Sequence, residues 1–591
     1  MNKLIRAMLK NRGYDEDFLS RINTCDHALP SGIPELCARL DFYRKTGGRI
    51  VVLSDFDTDG LMSGVIGFAG LAEMGFSVAL YLPSTDGYGF DASDIEKIKA
   101  DYSDVKVILT GDVGIAAHEG VQAARDSGIE VLVTDHHKAA VVSNSHVFVD
   151  PMCDENPNVF GSVCGAHVMY LVLRYYAEHF HEQAARLIPQ IDRLRVFAGI
   201  ATVADSMPVY HENRPMIVDA VSICRLLYAD GQQDVVNSIP GCDIYRRAML
   251  GVFVMLQAFA EHGKIRDSAS IDETFFGFYV SPALNSVKRM NGDIRDVYTV
   301  FFGGYDAARV AMEKILSLTS DRKALVSKSL DQILDNPEDQ AWAPYIYVTD
   351  APGGIRGLLA QRILSLTGEP VLVVCPEEDG SFAGSGRSPA WFPFLELIGD
   401  TDTVHPAGHN AAFGVRIDSE QACEDLVVHL RRLIREKKPD DLEALARPDF
   451  TISTVDVNAD TGIDLELFEE YLEEIEHYRP FGVGFREPDA YLEFRPQDAS
   501  WSYMGKDHTH LKVLLPLGLV LVCFNQAKLF PNGIDVSNMP EIISVRGKLN
   551  MNEWNGNRTI QFLGQLDGEL AQIDDVTSAV PSGQQIMFDK K

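Results

Sequence analysis

The segment Arg49–Gly60, RIVVLSDFDTDG, is a run of apolar and β-branched residues that ends abruptly in three acids. Apolar continuity without polar alternation reads as a strand buried on both faces. Helical spacing follows in GLMSGVIGFAGLAEMGF, and then the pattern repeats. VALYLPS, VKVILTGDVG, EVLVTDHH and HVFVDP are further short strands, and IAAHEGVQAARDSG closes on a good helix stop. Alternating strands and helices over residues 49 to 150 predict an α/β fold with a parallel sheet covered on both faces. Ligands of such sheets bind outside the carboxyl ends of the strands.

Acids and imidazoles gather at those ends. Asp55, Asp57 and Asp59 follow the first strand, Asp112 ends VILTGDVG, Asp135, His136 and His137 end VTDHHK, and Asp205 ends the apolar part of GIATVADSMP. Each alone has an ordinary reading: Asp59 as a helix cap, Asp112 as a turn residue, Asp205 as the start of a loop before Pro208. As a set they converge in space, and converging carboxylates raise one another's pKa unless cations neutralise them. Carboxylates with imidazole and without thiolates suit Mn²⁺ or Mg²⁺ better than structural zinc.

The chain has 591 residues, enough for several cores. No window approaches a membrane-spanning apolar run, the first residues read as a short amphipathic helix, and nine scattered cysteines without a CxxC pair suggest reduced thiols in a cytoplasmic setting. A formal net charge of −32 excludes polyanion binding through the overall field. Any nucleic-acid function must rest on a local basic groove or on bound cations, with weak and strongly salt-dependent binding. Residues 160–340 are mostly helical in pattern and end in a long amphipathic run. A second α/β pattern starts near 341 with YIYVTD. A third region, with HLKVLLPLGLVLVCFN and EIISVRGKLNMNEWNGNRTIQFLGQL, reads as antiparallel strands with a hairpin at Asn555-Gly556.

In the second pattern, GSGRS offers Ser385, Arg387 and Ser388 on a glycine-relieved backbone, and AGHNAAFG offers Gly408 and His409. That composition suits close approach to a phosphate, although two ordinary connecting loops would look the same. PGGIRG (352–357) lacks the Gly-Lys-Ser/Thr of a P-loop and reads as a helix start. Trp501, Tyr503, Phe524 and Trp554, among strands carrying Lys506, Lys512 and Arg546, suggest an OB-type barrel whose rings either stack on bases or fill the core.

DFDTDG, GDVG, TDHHK and TVADSMP resemble, in order and spacing, the four motifs of the DHH phosphoesterases. TDGYGF, HENR, SPALNSVKRM, GSGRS, AGHNAAFG and RPFGVGFREP extend the resemblance to the RecJ-type members, single-strand-specific 5′→3′ DNA exonucleases. The resemblance implies two divalent cations, with Mn²⁺ favoured, ligated by Asp57, Asp59, Asp112, His136 and Asp205, with Asp112 bridging. Asp55 would be a ligand or an outer acid, Asp135 would orient a histidine, and His137 would contact phosphate or protonate the leaving group. Arg289, Ser385, Arg387, Ser388, Gly408 and His409 would bind substrate at its 5′ phosphate. Trp501, Tyr503, Lys506 and Lys512 would touch nucleic acid.

The implied organisation is a DHH catalytic domain (1–215), a helical connector (216–340), a DHHA1-type domain (341–440), an OB-like domain (445–570) and a tail (571–591). A monomer acting on single-stranded DNA in repair, recombination or replication is expected, with single-strand-binding or replication proteins as candidate partners and no membrane. Ala407, Ala283 and Phe485 depart from the family pattern, on residues expected along the substrate path. An oligoribonuclease or cyclic-dinucleotide phosphodiesterase, an inorganic pyrophosphatase and a metal-free scaffold remain as alternatives.

Overall fold

Strand β1 (Arg49–Ser54) buries both of its faces, which is why it reads as an unbroken apolar run. The computed structural model describes residues 1–15, 17–83, 89–156, 158–230, 239–335, 340–439, 447–455, 464–505, 507–530, 533–554 and 557–566. β1 is joined by β2 (Val78–Tyr81), β3 (Val105–Gly111), β4 (Glu130–Thr134) and β5 (Val147–Val149), all parallel, in the order β2-β1-β3-β4-β5. Ile50, Val52, Val107 and Leu109 enter a core shared with helices Thr58–Glu73 and Gly165–His179. Val51, Leu53 and Ile108 enter the opposite core, against helices Ala92–Asp101 and His118–Asp126. Winding reverses between β1 and β3, and such a switch opens a crevice at the carboxyl ends of the two strands. Asp55 and Asp112 are the residues that follow them.

The chain groups into two units: Leu19–Lys323 with Pro480–Arg486, and Met1–Phe18 with Ala324–Arg479 and Glu487–Lys591. The first contains the parallel sheet and most of the helices. The amphipathic run expected to join lobes is one helix, Tyr305–Asp335, of 31 residues, about 46 Å long at 1.5 Å per residue.

The second unit holds two sheets. β6 (Ile346–Val348), β7 (Val371–Pro376), β8 (Phe382–Arg387), β9 (Val404–Gly408) and β10 (Ala412–Ile417) lie in the order β6-β7-β8-β10-β9, with only β6 and β7 parallel. Helix Gly353–Thr367 connects that parallel pair, so PGGIRG is a helix start. The OB-like sheet comprises β11 (Phe450–Ser453), β12 (Ala490–Phe494), β13 (Ser500–Met504), β14 (His510–Leu514), β15 (Val520–Cys523), β16 (Ile543–Trp554) and β17 (Asn557–Gln565). Its order is β11-β12-β16-β17-β15-β14-β13. β14/β15 and β16/β17 are antiparallel as expected, whereas β11/β12 and β15/β17 are parallel. Asn555-Gly556, Lys506, residues 85–88 of TDGYGF and the tail lie outside the described residues.

Two short segments group away from their sequence neighbours. Residues 1–18, which the sequence places with the catalytic domain, group with the second unit: Arg12 forks onto Asp449 at 2.7 and 2.8 Å. Pro480–Arg486 belongs to the first unit, where the Phe481 amide donates to Glu273 at 2.8 Å and Phe485 is fully buried beneath Arg214. Phe485 and Ala283 are both fully buried, so those departures from the family pattern are packing residues and not part of a substrate path. No helix among the described residues is long and apolar enough to cross a membrane.

Candidate metal centre

Asp57 caps helix Thr58–Glu73, accepting from the Gly60 amide at 3.0 Å. Asp59, the residue expected to cap it, instead caps a different helix. Its two oxygens accept from the Gly165 and Ala166 amides at 2.6 and 2.8 Å, the first donors of helix Gly165–His179. Those helix-end donors carry partial positive charge and hold the carboxylate in one orientation.

Asp112 adopts φ 63°, a conformation that non-glycine residues rarely take, and its amide donates to Thr134 at 3.0 Å. Its side chain packs on Gly165, where an added Cβ would stand 2.5 Å from the Asp112 Cβ, so only glycine admits the contact. Gly165, Ala166 and Asn285 are the functional positions that sequence reading missed. CGAH carries no motif signal, and Asn285 lay unassigned inside SPALNSVKRM.

Around these anchors the acids and imidazoles converge. His136 Nε2 lies 3.1 Å from Asp112 Oδ1, 3.5 Å from Asp59 Oδ2 and 3.6 Å from Asp205 Oδ2. Asp135 is fully buried and accepts from the His136, His137 and Ile115 amides at 2.8, 3.3 and 2.9 Å. It also bonds His137 Nδ1 at 2.8 Å, so the imidazole that Asp135 orients is His137. Among the described residues, three sets of donor atoms lie within 4.8 Å of one another: Asp55, Asp57 and Asp112; Asp59, His136 and Asp205; Asp112, His136 and His137.

One atom tests whether a cation fits. Asp112 Oδ1 is buried and makes no hydrogen bond; His136 Nε2 is near but not aligned for one. An unsatisfied buried carboxylate oxygen is costly, and a divalent cation would satisfy it with a donor set of the right chemistry.

The electrostatics agree. Burial, then the charge of Asp57, pushes Asp55 up to about 7. Burial, then Asp59, pushes Asp205 up to about 8. Asp57 and Asp112 rise for the same two reasons, burial and neighbouring acids. Burial lowers His136. Burial also pulls on His137, but the Asp135 hydrogen bond and the charges of Asp135, Asp205 and Asp59 outweigh it and hold the imidazole at about 9.

Arg289 belongs to the same unit. Burial lowers its pKa and the charge of Asp57 opposes that lowering. The other expected substrate residues form a separate constellation at one end of the second sheet. Arg387 pairs with Ala412 across β8 and β10, Ser388 N donates to Ala411 at 3.0 Å, and His409 and Ala412 exchange backbone bonds at 3.0 and 3.1 Å. GSGRS and AGHNAAFG therefore meet, as a strand end and a hairpin turn. Gly408, at φ 133°, forms the bend. Ser385 faces Gly414 within the strand pair. Ser388 is buried, its hydroxyl donated to Phe392 at 2.6 Å, so that side chain holds the turn.

In the OB-like sheet, Trp501 sits between Phe494 and Phe530 and donates Nε1–H to Pro496. Tyr503 donates to Phe530 at 3.0 Å and lines a groove of about 660 Å³ with His508, Thr509, Asn525, Lys528 and Gly533. Trp501 and Tyr503 pair with the buried Val513 and Leu511, whereas Lys512 pairs with Ser502 on the opposite, exposed face. The expected nucleic-acid residues thus do not share one surface.

Residues 49–198 match the DHH family, N-terminal domain, and residues 460–565 match the RecJ OB domain. Over 581 residues the chain is 24% identical to the single-stranded-DNA-specific exonuclease RecJ of Bacillus subtilis (strain 168), covering 95% of this chain and 67% of that protein. Among solved structures it resembles RecJ in complex with Mn²⁺ from Thermus thermophilus, with a TM-score of 0.69 at 21% identity over 99% of this chain and 78% of that one. The Mg²⁺ complex from the same organism gives 0.64 at 20%, over 95% and 74%.

Proposed function

We infer, for a chain that is a RecJ-like member of the DHH phosphoesterase family, that it hydrolyses phosphodiester bonds of single-stranded DNA from the 5′ end with two divalent cations. The observation that carries this reading is Asp112 Oδ1, a buried oxygen without a hydrogen bond, beside His136 at the switch point of the sheet. Asp55 and Asp57 with Asp112 would hold one cation and Asp59, His136 and Asp205 the other, with Asp112 between them. Bound there, Mn²⁺ or Mg²⁺ would supply a hydroxide nucleophile at neutral pH and neutralise charge building on the phosphate.

The chain's own groups do the rest. His137, with Nδ1 engaged by Asp135, would present Nε2 to a non-bridging oxygen or to the departing 3′ oxygen. Arg289 would add positive charge beside Asp57. Arg387, Gly408 and His409 would receive the terminal phosphate on the second sheet. The OB-like sheet would contact single-stranded DNA through Tyr503 and its groove. The work of such an enzyme lies in DNA repair, recombination and replication.

Asp135→Ala removes the acceptor of the His136 and His137 amides and of the His137 imidazole, and so loosens the backbone that carries His136. It should lower Mn²⁺ affinity about 10–100-fold, the usual cost of losing a partner behind a metal ligand; calorimetry showing unchanged affinity would remove Asp135 from the site. Mn²⁺-dependent digestion of end-labelled single-stranded DNA, beside RNA, dinucleotides and pyrophosphate, tests the activity itself. Mononucleotides released from the 5′ end are expected. Products from the 3′ end, or only from RNA or dinucleotides, would reassign the substrate, and no product from any of them would end the enzymatic reading.

A further inference from the structure

A polyanionic strand must approach six acids (Asp55, Asp57, Asp59, Asp112, Asp135 and Asp205) in a chain of net charge −32. Screening over roughly 8 Å means that only cations beside those acids can help. Helix Ser281–Arg289 supplies two, and it is tied to the metal-bearing loop. Asn285 Oδ1 accepts from both the amide and the hydroxyl of Thr58, each at 2.9 Å, and the Thr58 hydroxyl lies 3.4 Å from the Ser281 carbonyl. Lys288 and Arg289 occupy the last turn, where unpaired carbonyls favour cations.

Arg289 lies under the charge of Asp57. Lys288 does something different: its ammonium stands 4.9 Å from the centre of the Phe56 ring. Phe56 is the residue between Asp55 and Asp57, so the ring seats a positive charge on the loop that carries those two acids. An aromatic face attracts a cation and fixes where it sits. A lysine is also a point charge that accepts phosphate oxygens from many directions, unlike the fixed fork of an arginine.

We propose that Lys288, seated on Phe56, contacts a phosphate of the bound strand adjacent to the reacting one and thereby sets affinity for single-stranded polynucleotide. The substrate class rests on the exonuclease reading above.

The test is fluorescence anisotropy of the full chain with a labelled, 5′-phosphorylated single strand in Ca²⁺, across a salt series, with strand integrity checked on gels. Lys288→Met keeps the stem on the ring and removes the charge. It should weaken binding about tenfold at low salt and reduce the slope of log K against log salt by about 0.7, one phosphate contact on a single strand. Lys288→Arg should restore the slope. Lys45→Met, which removes the same charge just before β1 at the amino end of the sheet, should leave it alone. An unchanged slope in Lys288→Met, or equal slope losses in Lys288→Met and Lys45→Met, would overturn the proposal. If Lys288→Met melts well below the parent, Lys288→Gln reads the same slope. Wild-type protein that binds the strand but never cleaves it in Mn²⁺ would sink the exonuclease reading alone, because the slope is measured without cleavage.

Discussion

Asp112→Asn should abolish phosphodiester cleavage, by at least about 10³-fold, while leaving the metal-free protein as stable as the parent or more so. Removing a single electrostatic donor from an active site costs about 10²–10³, and Asp112 belongs to two of the candidate ligand sets at once. The stability half of the prediction has the opposite sign to most buried substitutions. The carboxyl is buried, its Oδ1 makes no hydrogen bond, and burial with the charges of Asp59 and Asp57 raises its pKa well above the ordinary range. Without cations such a group opposes folding at neutral pH. Asparagine keeps the shape, carries no charge and tolerates the left-handed backbone at φ 63°. A rise of about 2–4 °C in the metal-free melting temperature corresponds to roughly 1 kcal/mol relieved. Retention of cleavage within tenfold, or a large fall in melting temperature, would contradict the placement of Asp112.

The second large effect is a pH dependence that metal opposes. An acid whose pKa is raised by folding holds its proton more tightly when folded, so stability falls as pH climbs from the unfolded value to the folded one. For Asp55 that window runs from 3.8 to about 7, and for Asp205 from 3.8 to about 8. His137, held up at about 9, contributes stability that is complete below 6.5 and lost as pH rises through 9. All three act in one direction, so the metal-free protein should melt progressively lower between about pH 4 and pH 9. Divalent cations compete with protons for the same oxygens, so the gain from Mn²⁺ should grow over that range. At a hundredfold excess over Kd the gain is about 2.7 kcal/mol. Thermal melts in EDTA and in Mn²⁺ at several pH values would show it. A Mn²⁺ shift that does not change with pH would refute the shared-site argument.

Much of the centre is legible from local pattern. β1, β3 and β4 announce themselves because both faces are buried, and the acids stand at one end because ligand chemistry in a parallel sheet belongs there. What escapes is every relation between distant residues. The Asp59 carboxylate is held by amides 106 and 107 positions away. Lys512 separates from Trp501 and Tyr503 only once strand register assigns faces. Ser388 turns inward because the Phe392 carbonyl needs a donor.

The sequence by itself determined the chemistry: which strands are buried, which acids and imidazoles end them, and therefore that cations and phosphate are the partners to expect. Tertiary structure alone decided the assignments. Gly165 lets a helix N-terminus reach Asp59 and Asp112, Asp135 selects His137, Asn285 docks the helix of Lys288 and Arg289 against Thr58, and Pro480–Arg486 joins the unit that holds the parallel sheet. The reason is physical. Periodicity and capping are written in neighbouring residues, whereas the pairing of buried donors, acceptors and charges is settled only when remote segments compete for the same space.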